Sequence, residues 1–150
     1  MADGERGAAV VETVLILPLL IALLLATVAL AMAAIAKALV TNAARDAARV
    51  VAIECGQGDP GWYVDAQAAA VTALASGLPV GSASAAPARS GEWAFQAWCP
   101  QPGQAGAPSG ASVTYAEINL FPPLAPLLSP GAAPGPRVFV LEGNAIFPEE

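Results

Sequence analysis

The sequence has no histidine, only two cysteines, and six basic residues against twelve acidic ones. Without an imidazole there is no His-based triad, no histidine general base and no histidine ligand for zinc. A metal site built on two cysteines alone is not expected. Three of the six basic residues fall between Lys37 and Arg49, so no basic face interleaved with aromatics is available to neutralise phosphates. Nucleic acid is therefore not an expected partner. No glycine-rich phosphate loop follows a strand, the acidic residues beyond residue 53 are scattered, and the serines have no evident activating partner. Neither catalysis nor a bound cofactor is expected.

Other absences are local. Glycine is missing from Ala8 to Cys55, proline occurs there only as Pro18, no aromatic precedes Trp62, and no charge lies between Glu12 and Lys37. A stretch without breakers predicts one long helix over residues 8–53. Its first half, residues 13–36, has 24 uncharged residues, which span about 36 Å as a helix against a hydrocarbon core of roughly 30 Å. One membrane span fits. Pro18 removes one helix hydrogen bond and favours a kink, which is tolerated in membrane helices when neighbouring groups compensate. Small residues four apart, Ala22 with Ala26 and Ala29 with Ala33, permit close helix approach, although the spacing is common in a run so rich in alanine.

Glu12 stands at the head of the apolar run. An ionised carboxylate costs about 3 kcal/mol at the centre of a span and less at its edge. Glu12 therefore either sits among headgroups at the positive end of the helix or has a partner. Arg6-Gly-Ala-Ala-Val-Val-Glu-Thr-Val-Leu-Ile-Leu-Pro18, followed by Leu/Ala-rich sequence and then Thr41-Asn-Ala-Ala-Arg-Asp-Ala-Ala-Arg49, resembles the TadE-like family of pseudopilins from tight-adherence pilus systems. The resemblance covers residues 6–53. It implies a leader of residues 1–7, cleavage by a prepilin peptidase between Gly7 and Ala8 on the cytoplasmic side, and retention of the helix. It also implies that Glu12 is the acidic residue of the mature helix. The new α-amino group at Ala8 would find a suitable acceptor in the Glu12 carboxylate of a neighbouring helix within a low-dielectric bundle, which links cleavage to assembly.

The implied function is that of a minor pseudopilin: a structural subunit of a pilus biogenesis or secretion system, assembled through its N-terminal helix. Its partners would be other pilins, the assembly platform, the prepilin peptidase and membrane lipid. The location implied is the bacterial cytoplasmic membrane, single-pass, with residues 54–150 forming an extracytoplasmic head and the subunit incorporated in a surface pilus. Charge alone points the other way: Asp3 and Glu5 oppose Arg6 before the span, whereas Lys37, Arg45 and Arg49 follow it. The processing motif and the cysteines favour an exported head. Two other readings compete. One is a Sec signal peptide cleaved after Ala31, releasing a soluble binding module. The other is an unprocessed single-span anchor.

An even pair of cysteines in an exported segment favours a Cys55–Cys99 disulfide over two separate buried thiols. The bridge would close a loop with 43 residues between its ends, worth roughly 4 kcal/mol by loop entropy.

Past Lys37 the helix becomes amphipathic. Asn42, Arg45, Asp46 and Arg49 form a polar stripe, read as a solvated side with an Asp46–Arg49 pair or as a face for neighbouring pilins. Val40, Ala44, Ala47 and Val51 form the apolar face that would dock the head. Residues 56–58 end the helix, and Asp59 as N-cap with Pro60 predicts a second helix over residues 60–76, burying Val64, Ala68, Val71 and Ala75. Residues 77–91 are predicted as a loop. Three strands are predicted at 92–98, 112–120 and 138–147, separated by Gly/Pro-rich linkers at 100–110 and 121–136. The second linker has an apolar edge at Leu124, Leu127 and Leu128. The fold class is α+β: a long N-terminal helix, then a small head with one helix against a roughly three-stranded antiparallel sheet. Trp62, Trp93 and Trp98 are read as core in the first instance and as a sugar-binding platform in the second.

Overall fold

The computed structural model describes residues 3–99, 108–118 and 138–147; the side chains of residues 3–11, 56, 118 and 139 lie outside that description. The described residues divide into two compact units, 3–32 in one and 33–99, 108–118 and 138–147 in the other. The linker at 121–136 lies outside the described residues, as do residues 100–107 of the other one.

Helix α1, Asp3–Gln57, is continuous through Pro18. It begins within the segment expected to be a leader, so the bond between Gly7 and Ala8 lies inside helical backbone. In the first unit Leu15, Leu19, Leu23 and Leu24 are all more than half exposed. With Val14, Ile16 and Leu17, also 44–63% exposed, they surround the helix at steps of about 100°, so its large aliphatic side chains share no buried side. Thr27 returns its hydroxyl to the Leu24 carbonyl at 2.8 Å, satisfying the polar group within the helix itself.

The second unit starts with the amphipathic half of α1. Val40, Ala43, Ala44, Ala47, Ala48 and Val51 are buried, and they include every residue of the expected docking face. The helix runs four residues beyond its expected end and stops at Gly58, whose φ of +72° is the left-handed conformation that closes a helix without Cβ strain.

Helix α2, Trp62–Ala75, differs from its expected form in two ways. Asp59 is not its N-cap: Gly61 occupies that position with no side-chain cap, and the Asp59 carboxylate instead accepts the Gly61 N–H at 2.7 Å. That bond shapes the turn before the helix. The buried stripe is Ala66, Ala70 and Leu74, while Val64 is 66% exposed and Ala68 and Ala75 face solvent. In so alanine-rich a helix several stripes are apolar enough to be buried, and the wider packing selects the one carrying Leu74. Gly77, just past α2, meets the Leu39 side chain of α1, so α2 turns back along the helix it follows.

The strands are β1, Trp93–Trp98; β2, Ser109–Ile118; and β3, Val138–Phe147. They form one antiparallel sheet in the order β1-β2-β3. β2 starts three residues earlier than expected, taking Ser109 and Gly110 from the predicted linker. Phe95, Val113 and Gly143 share one rung, as do Trp93, Tyr115 and Leu141, so inward residues alternate on each strand. These residues and both helices close a single core against one face of the sheet. Within the predicted loop, residues 81–84 run beside the start of β1, where Ala83 bridges Trp93 in parallel. Tyr115 donates its hydroxyl to the Pro79 carbonyl at 3.0 Å, and Trp93 donates its indole N–H to the Gly81 carbonyl at 3.2 Å. Both inner aromatics thus keep their polar atoms bonded.

Candidate functional site

The N-terminal helix carries the residues singled out in the sequence. Gly7 and Ala8 lie four and five residues inside its first turns. Glu12 is exposed and, with Thr13, Ile16, Leu17 and Leu20, borders a shallow groove along the helix surface. The i, i+4, i+8 relation of Glu12, Ile16 and Leu20 sets one carboxylate at the head of an apolar strip. Such a strip can take the side of another helix, with Glu12 left to bind a cation at its end. Within α1, the stretch Glu12–Cys55 is long enough to cross a membrane and contains an apolar window fit to do so, no part of which is buried inside the protein. That arrangement is consistent with a membrane anchor.

Past the apolar half, Asn42, Arg45, Asp46 and Arg49 are exposed. Among the described residues the expected Asp46–Arg49 ion pair does not form; Arg89 and Glu92 make the one surface pair, at 3.9 Å. Asn42 and Asp46 instead border a groove between α1 and α2 together with Leu39, Ala69, Thr72 and Ser76. Lys37 reaches the edge of β3 and donates to the Glu142 carbonyl. Its four methylenes give the ammonium that reach, which nothing in the local sequence foretells.

At the other end of α1 the two cysteines are bonded, Cys55 to Cys99, with 6.0 Å between their Cα atoms. The bridge ties the last turn of α1 to the residue that follows β1. Next to it, Glu54 is half-buried and its Oε2 has no hydrogen-bond partner. Burial raises its pKa above the ordinary value, and the charges of Asp65 and Asp59 push in the same direction. Sequence spacing gives no sign of this cluster, because its members come from a helix end, a turn and a second helix. Glu92 is shifted the opposite way: its Oε2 accepts the Ala88 and Arg89 N–H groups at 2.9 and 3.1 Å, which lowers its pKa.

The predicted site residues therefore fall in separate places. Gly7, Ala8, Glu12 and Pro18 belong to the first unit, Cys55 and Cys99 to the second, and only the cysteines are brought together. No curated protein and no solved structure matches the chain. The apolar half of α1, its Glu12 and the Thr41–Arg49 stretch all lie inside residues 7–49, and those residues match the family model described as TadE-like protein.

Proposed function

We propose that the chain is a minor pseudopilin-like structural subunit of a tight-adherence pilus biogenesis or secretion system. In this reading prepilin peptidase cleaves after Gly7, the helix from Ala8 stays in the cytoplasmic membrane, and the head lies outside it. Assembly with other pilins and the assembly platform runs through the N-terminal helix. The role is structural, with no catalytic step.

The observation that carries the proposal is the coincidence of two independent features over one segment. Residues 7–49 match the TadE-like family model, and the same residues form an uninterrupted helix whose leading half exposes large aliphatic side chains on different sides. In water such a helix is unfavourable, since each large aliphatic side chain left wet forgoes about 1.5–3 kcal/mol. In lipid, or packed against like helices, that cost disappears. Glu12 is then the polar exception, positioned to meet the α-amino group of a cleaved neighbour. The exported orientation is supported by the Cys55–Cys99 bond, since disulfides persist in oxidising compartments. This outweighs the charge flanks, whose basic residues the structure partly employs elsewhere, as in the bond from Lys37 to β3.

The test is the N-terminal residue of the protein recovered from native membranes and from sheared surface material, read by intact mass and a terminal peptide. Ala8 is the expected first residue. Met32 would mean a secreted soluble domain, and Met1 or Ala2 an unprocessed anchor; either result overturns the processing step.

A further inference from the structure

The three tryptophans have three different environments. Trp93 is 6% exposed with its N–H bonded, Trp62 is half-buried beside the core, and Trp98 is 37% exposed. Residue parity on β1 explains the contrast, because Trp93 and Phe95 point inward and Trp98 points to the opposite face of the sheet. Its cross-strand neighbour is Gly110, which in turn pairs with Ile146. A Cβ on Gly110 would lie 2.5 and 2.8 Å from Trp98 Cζ2 and Cε2. Only glycine leaves the room the indole occupies. The ring lies against Gly110 of β2, and on the far side of that glycine the same rung carries Ile146, 60% exposed.

The next rung along the sheet is polar throughout: Gln96, Ser112 and Asn144. The rung after it places Thr114 beside Glu142, whose Oε1 accepts the Asn144 side-chain N–H at 3.1 Å. By strand geometry these rungs stand about 7 and 14 Å from the indole. Glu142 is the only charged residue at the outward positions of the three strands.

We propose that this outer sheet face binds a neutral oligosaccharide, with one pyranose ring stacked on Trp98 and the next residues of the glycan hydrogen-bonded to Gln96, Ser112, Asn144 and Glu142. The chemistry selects the ligand class. An exposed indole offers a flat apolar surface matched to the C–H face of a sugar ring, while planar amides and a carboxylate bond to adjacent hydroxyls as both donors and acceptors. The strands carry no basic side chain on this face, and Lys37 at the β3 edge is a single cation next to residue 142, so phosphate, sulfate and nucleic acid find no basic cluster there. A purely apolar partner would have to desolvate the Gln96, Ser112 and Asn144 row without replacing its hydrogen bonds. The 7 Å and 14 Å spacing suits two to three linked sugars. This inference stands apart from filament assembly, since it uses no residue of the N-terminal helix.

The experiment uses the full chain in lipid nanodiscs free of sugar-based detergent. N-acetylchitotriose, cellotetraose and maltotriose are titrated by calorimetry, with saturation-transfer NMR identifying the sugar protons in contact. Binding of at least one neutral probe is expected, with Trp98→Ala weakening it about tenfold, the scale of one lost aromatic contact. Asn144→Ala should weaken it severalfold, and the remote exposed variant Val64→Ala should leave it unchanged. If Trp98→Ala lowers thermal stability, Ser112→Arg tests the same face by obstruction and should abolish binding. Failure of all three probes to bind at about 10 mM, or binding unchanged in both Trp98→Ala and Ser112→Arg, overturns the proposal. Equal binding of a sulfated oligosaccharide would overturn the assignment to neutral glycans.

Discussion

Gly143 lies where β3 crosses α1, and a Cβ there would stand 2.6 Å from the Val40 carbonyl oxygen and 2.9 Å from Thr41 Cα. These are backbone atoms that cannot rotate aside, so Gly143→Val should cost about 1–3 kcal/mol or more, with Gly143→Ala at the lower end. Chemical denaturation of the two variants beside the wild type measures it. Glu54 gives a prediction with a sign in pH. Its raised folded pKa means that the folded chain holds the proton more tightly than the unfolded chain, whose carboxyl titrates near 4.5. The favourable contribution is complete below that value and disappears as pH rises through the folded pKa. Glu54→Gln should therefore raise the melting temperature at neutral pH, with the gain shrinking as the solution is acidified and the wild-type carboxyl becomes protonated. A gain that is the same at every pH would assign the effect to packing alone. Neither residue could be identified from sequence. A glycine in a strand and a glutamate near a helix end are commonplace; the first gains its consequence where β3 crosses α1, the second where the turn and α2 bring Asp59 and Asp65 towards the helix end.

At the scale of elements, the periodic signals were the readable ones. The apolar face Val40, Ala44, Ala47 and Val51 is buried as expected, because it recurs at helical spacing over three turns beside a distinct polar stripe. The alternation of Trp93, Phe95 and Ala97 likewise set the inward face of β1. Helix α2 resisted the same reasoning: six alanines in fourteen residues leave its faces alike, and Leu74 is distinguished only by what it meets. The disulfide acts at this scale, joining the end of α1 to the end of β1. Replacing both cysteines by serine should cost about 4 kcal/mol by loop entropy, less if the reduced unfolded chain keeps structure. Unfolding of wild type with and without reductant, beside the double variant, checks it. Reductant should bring the wild type to the stability of the variant.

For the whole molecule, the proposed assembly turns on Glu12. Glu12→Ala should leave cleavage after Gly7 intact and reduce incorporation into sheared surface material severalfold, since the new α-amino group of a neighbour loses its carboxylate while the peptidase site is untouched. Quantitative mass spectrometry of membrane and sheared fractions checks both halves, and normal incorporation would sink the assembly role. Sequence alone determined the parts governed by short-range chemistry: the absence of breakers from Ala8 to Cys55 that produces α1, the apolar run that makes its first half fit for lipid, the α+β order of elements, and the resemblance that residues 7–49 bear out. Tertiary structure alone decided which stripe of α2 is buried, where Lys37 finds its acceptor, and that a Cβ at Gly143 would run into the Val40 carbonyl. Periodicity and composition act within one turn or one strand, whereas these outcomes depend on contacts between segments far apart in the chain.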